Sequence, residues 1–189
     1  MSDLTSIRVI LVRHGRTPLN AAGQLRGLAD PELDEVGVAQ VAATAAALST
    51  LGITRVLSSP LKRAVHTAAI IAEACGVGHE TDAAFNDRDY GPWTGHLKSD
   101  VVKEWGSVDA APGVEATAVV MARVRPALDD LAVGTDRGPI VVVSHDAVIR
   151  PLLLGIQPGI EPEVENGSWA ELAHNDDGWT IVSFDNFAG

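Results

Sequence analysis

The stretch "IRVILVRHGRTPLN", residues 7–20, decides the reading of this chain. Its first half, Ile7-Arg8-Val9-Ile10-Leu11-Val12, is a largely apolar run of the kind that forms a core strand in an α/β sheet. Strands of that kind usually end in a bland turn. This one ends in Arg13-His14-Gly15, followed by Arg16, Thr17, Pro18 and Asn20. The question is why a core strand should end in two arginines around a histidine and a glycine.

Working outward, further strand-like runs lie at residues 54–57 and 140–144. A closing pair follows at 169–173 and 179–184, joined by the turn signal Asn175-Asp176-Asp177-Gly178. Helices fill the intervals. One starts after Asp34 and runs through Ala47. A second is expected from Ser59 as N-cap, with Pro60 at the first helical position, to Ala74. A third covers residues 115–131, with Pro126 as a kink or restart. A short one follows His145. Strands alternating with helices predict an α/β layer fold with a largely parallel sheet. The sequence has no internal repeat, linker or low-complexity tail, so residues 1–189 are read as a single domain.

Composition narrows the function. Apolar residues make up 46% and charged residues 21%, which is the balance of a soluble globular chain. No apolar run is long enough to span a membrane. The start, MSDLTSIR, lacks the basic and apolar regions of a signal peptide. The single cysteine, Cys75, permits no internal disulfide and reads as a small core hydrophobe. The expected compartment is the cytoplasm. Net charge is −11, from 14 basic and 25 acidic residues. That is the opposite of a nucleic-acid footprint and unfavourable for an anionic membrane. A local cluster of arginines must therefore be focused against the field of the whole chain.

Three strands end in such groups. The first ends at Arg13-His14-Gly15. The second, "RVLSS", ends at Ser58-Ser59, with Arg63 close behind in the next helix. The third, "IVVVSH", ends at Ser144-His145. In open α/β sheets ligands bind outside the carboxyl ends of the strands. If these strands are neighbours, two histidines and two arginines meet in one crevice. Each residue alone also has a plain reading. His14 is then a turn or capping residue, Arg63 a solvated side chain opposing the helix dipole, and Gly15 a turn glycine or a point of close approach to a ligand. Together they suit phosphoryl transfer. A neutral imidazole is a nucleophile toward phosphorus when its other nitrogen is held as N–H by a carbonyl. Two arginines and a second histidine match the equatorial phosphoryl oxygens. The leaving alkoxide needs a proton from a nearby acid.

The segments "LVRHGRTPLN" (11–20), "SSPLKRAVHTA" (58–68) and "VVVSHDAVIR" (141–150) resemble, in this order, the three motifs of the histidine phosphatase (phosphoglycerate mutase-like) superfamily. The resemblance runs from Ile7 to Ser183. It implies a three-layer α/β/α sandwich, phosphoglycerate mutase-like, with the pocket at the strand ends. It implies His14 as the phospho-accepting nucleophile, and Arg13, Arg63 and His145 as the phosphate pocket. Asn20 stands where the family often places another polar ligand of the phosphate. Residues 23–37, "GQLRGLADPELDEVG", resemble the family's following segment, which puts Gly27 at the pocket rim. Residues 85–95, "FNDRDYGPWTG", match the family's acid segment, with Gly91, Trp93 and Gly95 setting the register. Asp87 then stands where the family's glutamate does and is the expected general acid. It is one methylene shorter, so its loop must approach closer or a water must bridge. Asp89 is the fallback acid.

Other positions depart from the family. Arg16 and Arg26 stand where uncharged or acidic residues are common. Facing the pocket, they would favour a substrate with a second anionic group; facing solvent, they would do nothing. Asp146 follows His145 and either keeps that histidine protonated or caps the next helix. His66, His79, His96 and His174 read as structural or exposed, and the four tryptophans as core or edge aromatics. Arginine beside His14 repels cations, so no metal is expected, and no cofactor.

The expected activity is hydrolysis of a small phosphomonoester, with no nucleic-acid or membrane partner. A homodimer is left open, with no residue assigned to it. Two alternatives stand beside it. A phosphoglycerate mutase would need more cations than residues 96–118, "HLKSDVVKEWGSVDAAPGVEATA", supply. A catalytically silent protein that binds phosphorylated ligands would not need the complete set of Arg13, His14, Arg63 and His145.

Overall fold

The computed structural model describes residues 7–134 and 138–188. Six strands, β1 (Ile7–Arg13), β2 (Arg55–Ser58), β3 (His79–Thr81), β4 (Ile140–Ser144), β5 (Trp169–Asn175) and β6 (Gly178–Asn186), form one sheet of order β3-β2-β4-β1-β5-β6. The first four are mutually parallel and the closing pair is antiparallel. The expectation of an α/β fold with a mostly parallel sheet is met.

Alternation along the central strands sorts side chains to two cores. Ile10 and Val12 of β1, Val56 of β2, and Val141 and Val143 of β4 face α2 (Glu35–Leu48) and α3 (Lys62–Cys75). Val9 and Leu11, Leu57, and Ile140 and Val142 face α5 (Thr117–Ala132) and α6 (Asp146–Ile156). Both faces are covered, which is why these strands read as unbroken apolar runs. Two short helices follow in the connections: α1 (Pro18–Ala21) after the first motif and α4 (Lys98–Trp105) after the Asp87 segment.

Register levels the strand ends. Arg13 of β1 pairs with Ser144 of β4, and Ser58 of β2 pairs with Val143. The three motifs therefore end side by side.

Several boundaries differ from the sequence reading. β3 was not expected, because three mostly exposed residues carry no alternation signal. The helix expected from Ser59 begins at Lys62, with Leu61 as N-cap. Ser59 Oγ instead accepts from the Leu61 N–H at 3.3 Å and donates to Asn86 Oδ1 at 3.1 Å. The free N-terminus of α3 is capped from a distant loop, by Asp30 Oδ1 on the Lys62 N–H at 2.7 Å. Pro126 lies inside a continuous α5, so it is no restart. Asp146 does not cap α6: His145 is the N-cap residue, and Asp146, first in the helix, pairs with Arg150 one turn on.

Candidate active site

β1 delivers His14 into the crevice, completely buried. Its backbone N–H donates to Ser144 O at 3.1 Å, and its carbonyl accepts from Asn166 Nδ2 at 3.0 Å. Nδ1 lies 2.7 Å from Gly15 O. A carbonyl only accepts, so Nδ1 carries the hydrogen. Nε2 lies 3.2 Å from Arg63 Nε, which only donates, so Nε2 carries the lone pair. The neighbours thus select one tautomer of a neutral ring. Burial, then His145, Arg63 and Arg13, push the His14 pKa well below its ordinary value.

Gly15 serves close approach, though not to a ligand. A Cβ there would stand 2.6 Å from Gly37 O, and a Cβ on Gly37 would stand 2.1 Å from Arg16 O. The loop after β1 and the first turn of α2 touch backbone to backbone. Thr67 Oγ1 on α3 completes the seat, accepting from the Gly15 N–H at 3.1 Å and donating to Arg63 O at 2.8 Å.

Arg63 is fully buried. Nε points at His14, Nη1 donates to Ala29 O at 2.7 Å, and Nη2 donates to Gly27 O and Asp87 Oδ2, each at 2.8 Å. Gly27 therefore acts through its carbonyl. Its φ of +50° and a Cβ position 3.0 Å from Arg88 O make glycine the residue that fits.

Asp87 is equally sealed, at 2% exposure. Oδ2 takes Arg63 and stands 3.6 Å from His145 Nδ1; Oδ1 accepts from the Arg88 N–H at 2.8 Å. The shorter side chain makes direct contact with Arg63, because its loop is drawn in. Arg123 of α5 donates to the carbonyls of Ala84 and Asn86 at 2.7 Å and of Asp87 at 2.9 Å. Ser144 Oγ ties Phe85 O at 2.8 Å. Asp89 points away, accepting from the Gly91 N–H at 2.8 Å in its own turn.

His145 is buried with both ring nitrogens unpartnered, its ring 5.1 Å from that of His14. Burial, then Arg63, Arg26 and Arg13, hold its pKa well below the ordinary value. Asp146 on the next residue does not keep it protonated. Arg13 donates through Nη1 to Val164 O at 2.7 Å and leaves Nε unpartnered.

A cleft of about 560 Å³ opens beside Arg13, with Arg26, Arg88, Lys98, Asp146 and Arg150 also on its walls, and Asp87 borders a second cavity. The two arginines that depart from the family pattern separate here. Arg26 lines the cleft, with only a 3.3 Å bond from Nη1 to Gln24 O and a buried, unpartnered Nε. Arg16 is bound to Asp34 at 2.8 Å. Asn20 is not among the cleft residues: its carboxamide oxygen closes a capping box on α1 with the N–H and hydroxyl of Thr17. Among the described residues no cluster of three or more histidine, cysteine or acidic side chains is arranged to hold a metal. No described helix is long and apolar enough to cross a membrane.

Sequence reasoning missed Arg123, Arg88 and Arg150. Each acts on backbone carbonyls of loops remote in sequence, and nothing in its own neighbourhood signals that.

Two buried histidines and two arginines meet at the ends of parallel strands, with a carboxylate against them. The family model for the histidine phosphatase superfamily, branch 1, matches residues 9–186, and the chain belongs to that family. A bifunctional protein of Mycobacterium tuberculosis is 35% identical over 79% of this chain and 44% of its own length. The chain thus spans less than half of the first curated relatives it matches. A glucosyl-3-phosphoglycerate phosphatase of Mycolicibacterium vanbaalenii is 31% identical, covering 88% of this chain and 84% of that one. The solved mycobacterial glucosyl-3-phosphoglycerate phosphatase in complex with VO3 superposes with a TM-score of 0.81 at 25% identity, over 95% of this chain and 98% of the other.

Proposed function

We propose that this chain hydrolyses small phosphomonoesters through a phosphohistidine on His14. The observation that carries the reading is the His14 tautomer. Gly15 O holds Nδ1–H, and Nε2 presents its lone pair beside Arg63 and the unpaired nitrogens of His145. In the first step Nε2 attacks phosphorus and the P–O bond to the leaving group breaks. Asp87 gives the leaving oxygen a proton. Arg13, Arg63 and His145 hold the equatorial oxygens as charge shifts onto them. In the second step Asp87 takes a proton from water, water attacks phosphorus, and the P–N bond breaks to release phosphate and free His14. Asn20 spends only its oxygen on the α1 cap, so its Nδ2 hydrogens stay outside that box and suit donation to a phosphate oxygen.

Arg26 supports a finer statement about substrate. Its under-bonded guanidinium faces the cleft next to Arg13, which favours a phosphomonoester carrying a second anionic group. The glucosyl-3-phosphoglycerate phosphatase relative is consistent with this, since its named substrate carries a carboxylate.

Acid-quench mass spectrometry with p-nitrophenyl phosphate tests the reading. Wild type is expected to show a phosphate adduct on His14 and steady turnover, both lost in His14→Ala. Phosphate binding with neither adduct nor turnover in wild type would establish the silent-binder alternative instead.

A further inference from the structure

The phosphate-facing arginine of β1 depends on a residue at the far end of the chain. Arg13 Nη1 donates to the carbonyl of Val164. Val164 has a φ of 48°, and a β-branched residue is a genuine outlier there. Such a conformation persists only when its surroundings impose it. The imposing group is Asp185. Its Oδ1 accepts from the Val164 N–H at 2.9 Å and its Oδ2 from the Glu163 N–H at 2.8 Å. Arg150 braces the same loop from the other side, through the carbonyls of Pro162 and Glu163.

Asp185 reaches the loop because β6 bulges. The pairing Trp169↔Asn186 passes to Glu171↔Ser183, so β6 spends one residue more than β5 over that interval. Asp185 sits in the interval at a φ of 52°. A bulge bends a strand and re-aims a side chain, and bulges favour the surroundings of active sites. Here the carboxylate is turned from the sheet edge onto the loop.

We propose that Asp185 is a positioning residue for phosphate binding. It holds Val164 in the left-handed region, which aims the Val164 carbonyl at Arg13 and fixes the guanidinium at the cleft. Without Asp185, Val164 relaxes to negative φ, its carbonyl turns away, and Arg13 loses its buried anchor. This rests on Arg13 binding phosphate, as the proposed function has it.

Calorimetric titration with inorganic phosphate tests it, alongside turnover of p-nitrophenyl phosphate. Asp185→Ala is expected to weaken phosphate about tenfold, the size of one charge-assisted contact. Adding Val164→Gly to Asp185→Ala is expected to recover most of that loss, because glycine occupies positive φ without being held there. A merely structural role for Asp185 predicts no such rescue. Asp185→Ala binding phosphate within about twofold of wild type, or a double variant no better than the single, would overturn the proposal. If Asp185→Ala does not fold, Asp185→Asn carries the same comparison with and without Val164→Gly. Wild type that obeys the phosphate pattern yet never turns over p-nitrophenyl phosphate would sink the phosphatase reading alone.

Discussion

Arg63 Nη2 and Asp87 Oδ2 are 2.8 Å apart, in two side chains with no more than 1% of their surface exposed. The same guanidinium contacts His14 Nε2. One buried cation thus links His14 to Asp87, the proposed nucleophile and acid, and their separation is set by the geometry of a single planar group.

Asp87→Asn keeps the shape of the side chain and removes its proton chemistry. Esters with poor leaving groups are expected to slow by about 10²–10⁴. p-Nitrophenyl phosphate, whose leaving group needs little protonation, is expected to slow far less. Rates measured across leaving groups of graded basicity check this; equal losses for all would remove Asp87 from the acid role.

Arg63→Lys keeps the charge and loses the fork. A single ammonium cannot serve His14, Asp87 and the carbonyls of Gly27 and Ala29 together. Leaving Asp87 buried without its full partner is expected to cost stability of about 3 kcal/mol, read by urea denaturation. Turnover is expected to fall by at least about 10², because His14 and Asp87, the proposed nucleophile and acid, lose their shared reference.

Both buried imidazoles titrate below their ordinary range in the folded protein. Below about pH 6.5 the unfolded chain binds protons that the folded chain refuses. Stability is therefore expected to fall as pH falls through that region, by up to about 1.4 kcal/mol per pH unit for each histidine. Above it both states are neutral and these two sites contribute no slope. Urea midpoints from pH 7.5 to 5 for wild type and His145→Gln check this, the variant showing the shallower fall.

Arg26→Ala is expected to lower kcat/KM for a phosphomonoester with a second anionic group about tenfold more than for one without. Arg16→Ala, already bound to Asp34 away from the cleft, is expected to leave that ratio unchanged. Steady-state comparison of the two substrate types in both variants decides it.

Gly37→Ala would drive a Cβ against the Arg16 carbonyl. The contact is backbone on backbone, so no side chain can yield. Destabilisation of about 1–3 kcal/mol is expected from thermal or urea unfolding, with displacement of the His14 loop.

The sequence by itself determined the sheet and which polar groups gather at its strand ends. Apolar runs such as 8–12 and 140–144 must be buried on both faces, and polar residues at their ends must lie where parallel strands end, so Arg13, His14, Arg63 and His145 were legible. Register came only with the structure, because strands buried on both faces carry no alternation to fix it. Boundaries governed by distant partners were not legible: α3 starts at Lys62 because Asp30 caps it from another loop. Tertiary structure alone decided which charges face the cleft. Arg16 and Arg26 look alike in sequence, and only the position of Asp34 separates them. It alone decided that Arg123 draws in the loop of Asp87, and that Asp185 reaches Val164. These are hydrogen bonds between groups far apart along the chain. Local propensity and periodicity describe how a segment folds on itself, and carry no term for what another segment will bring to it.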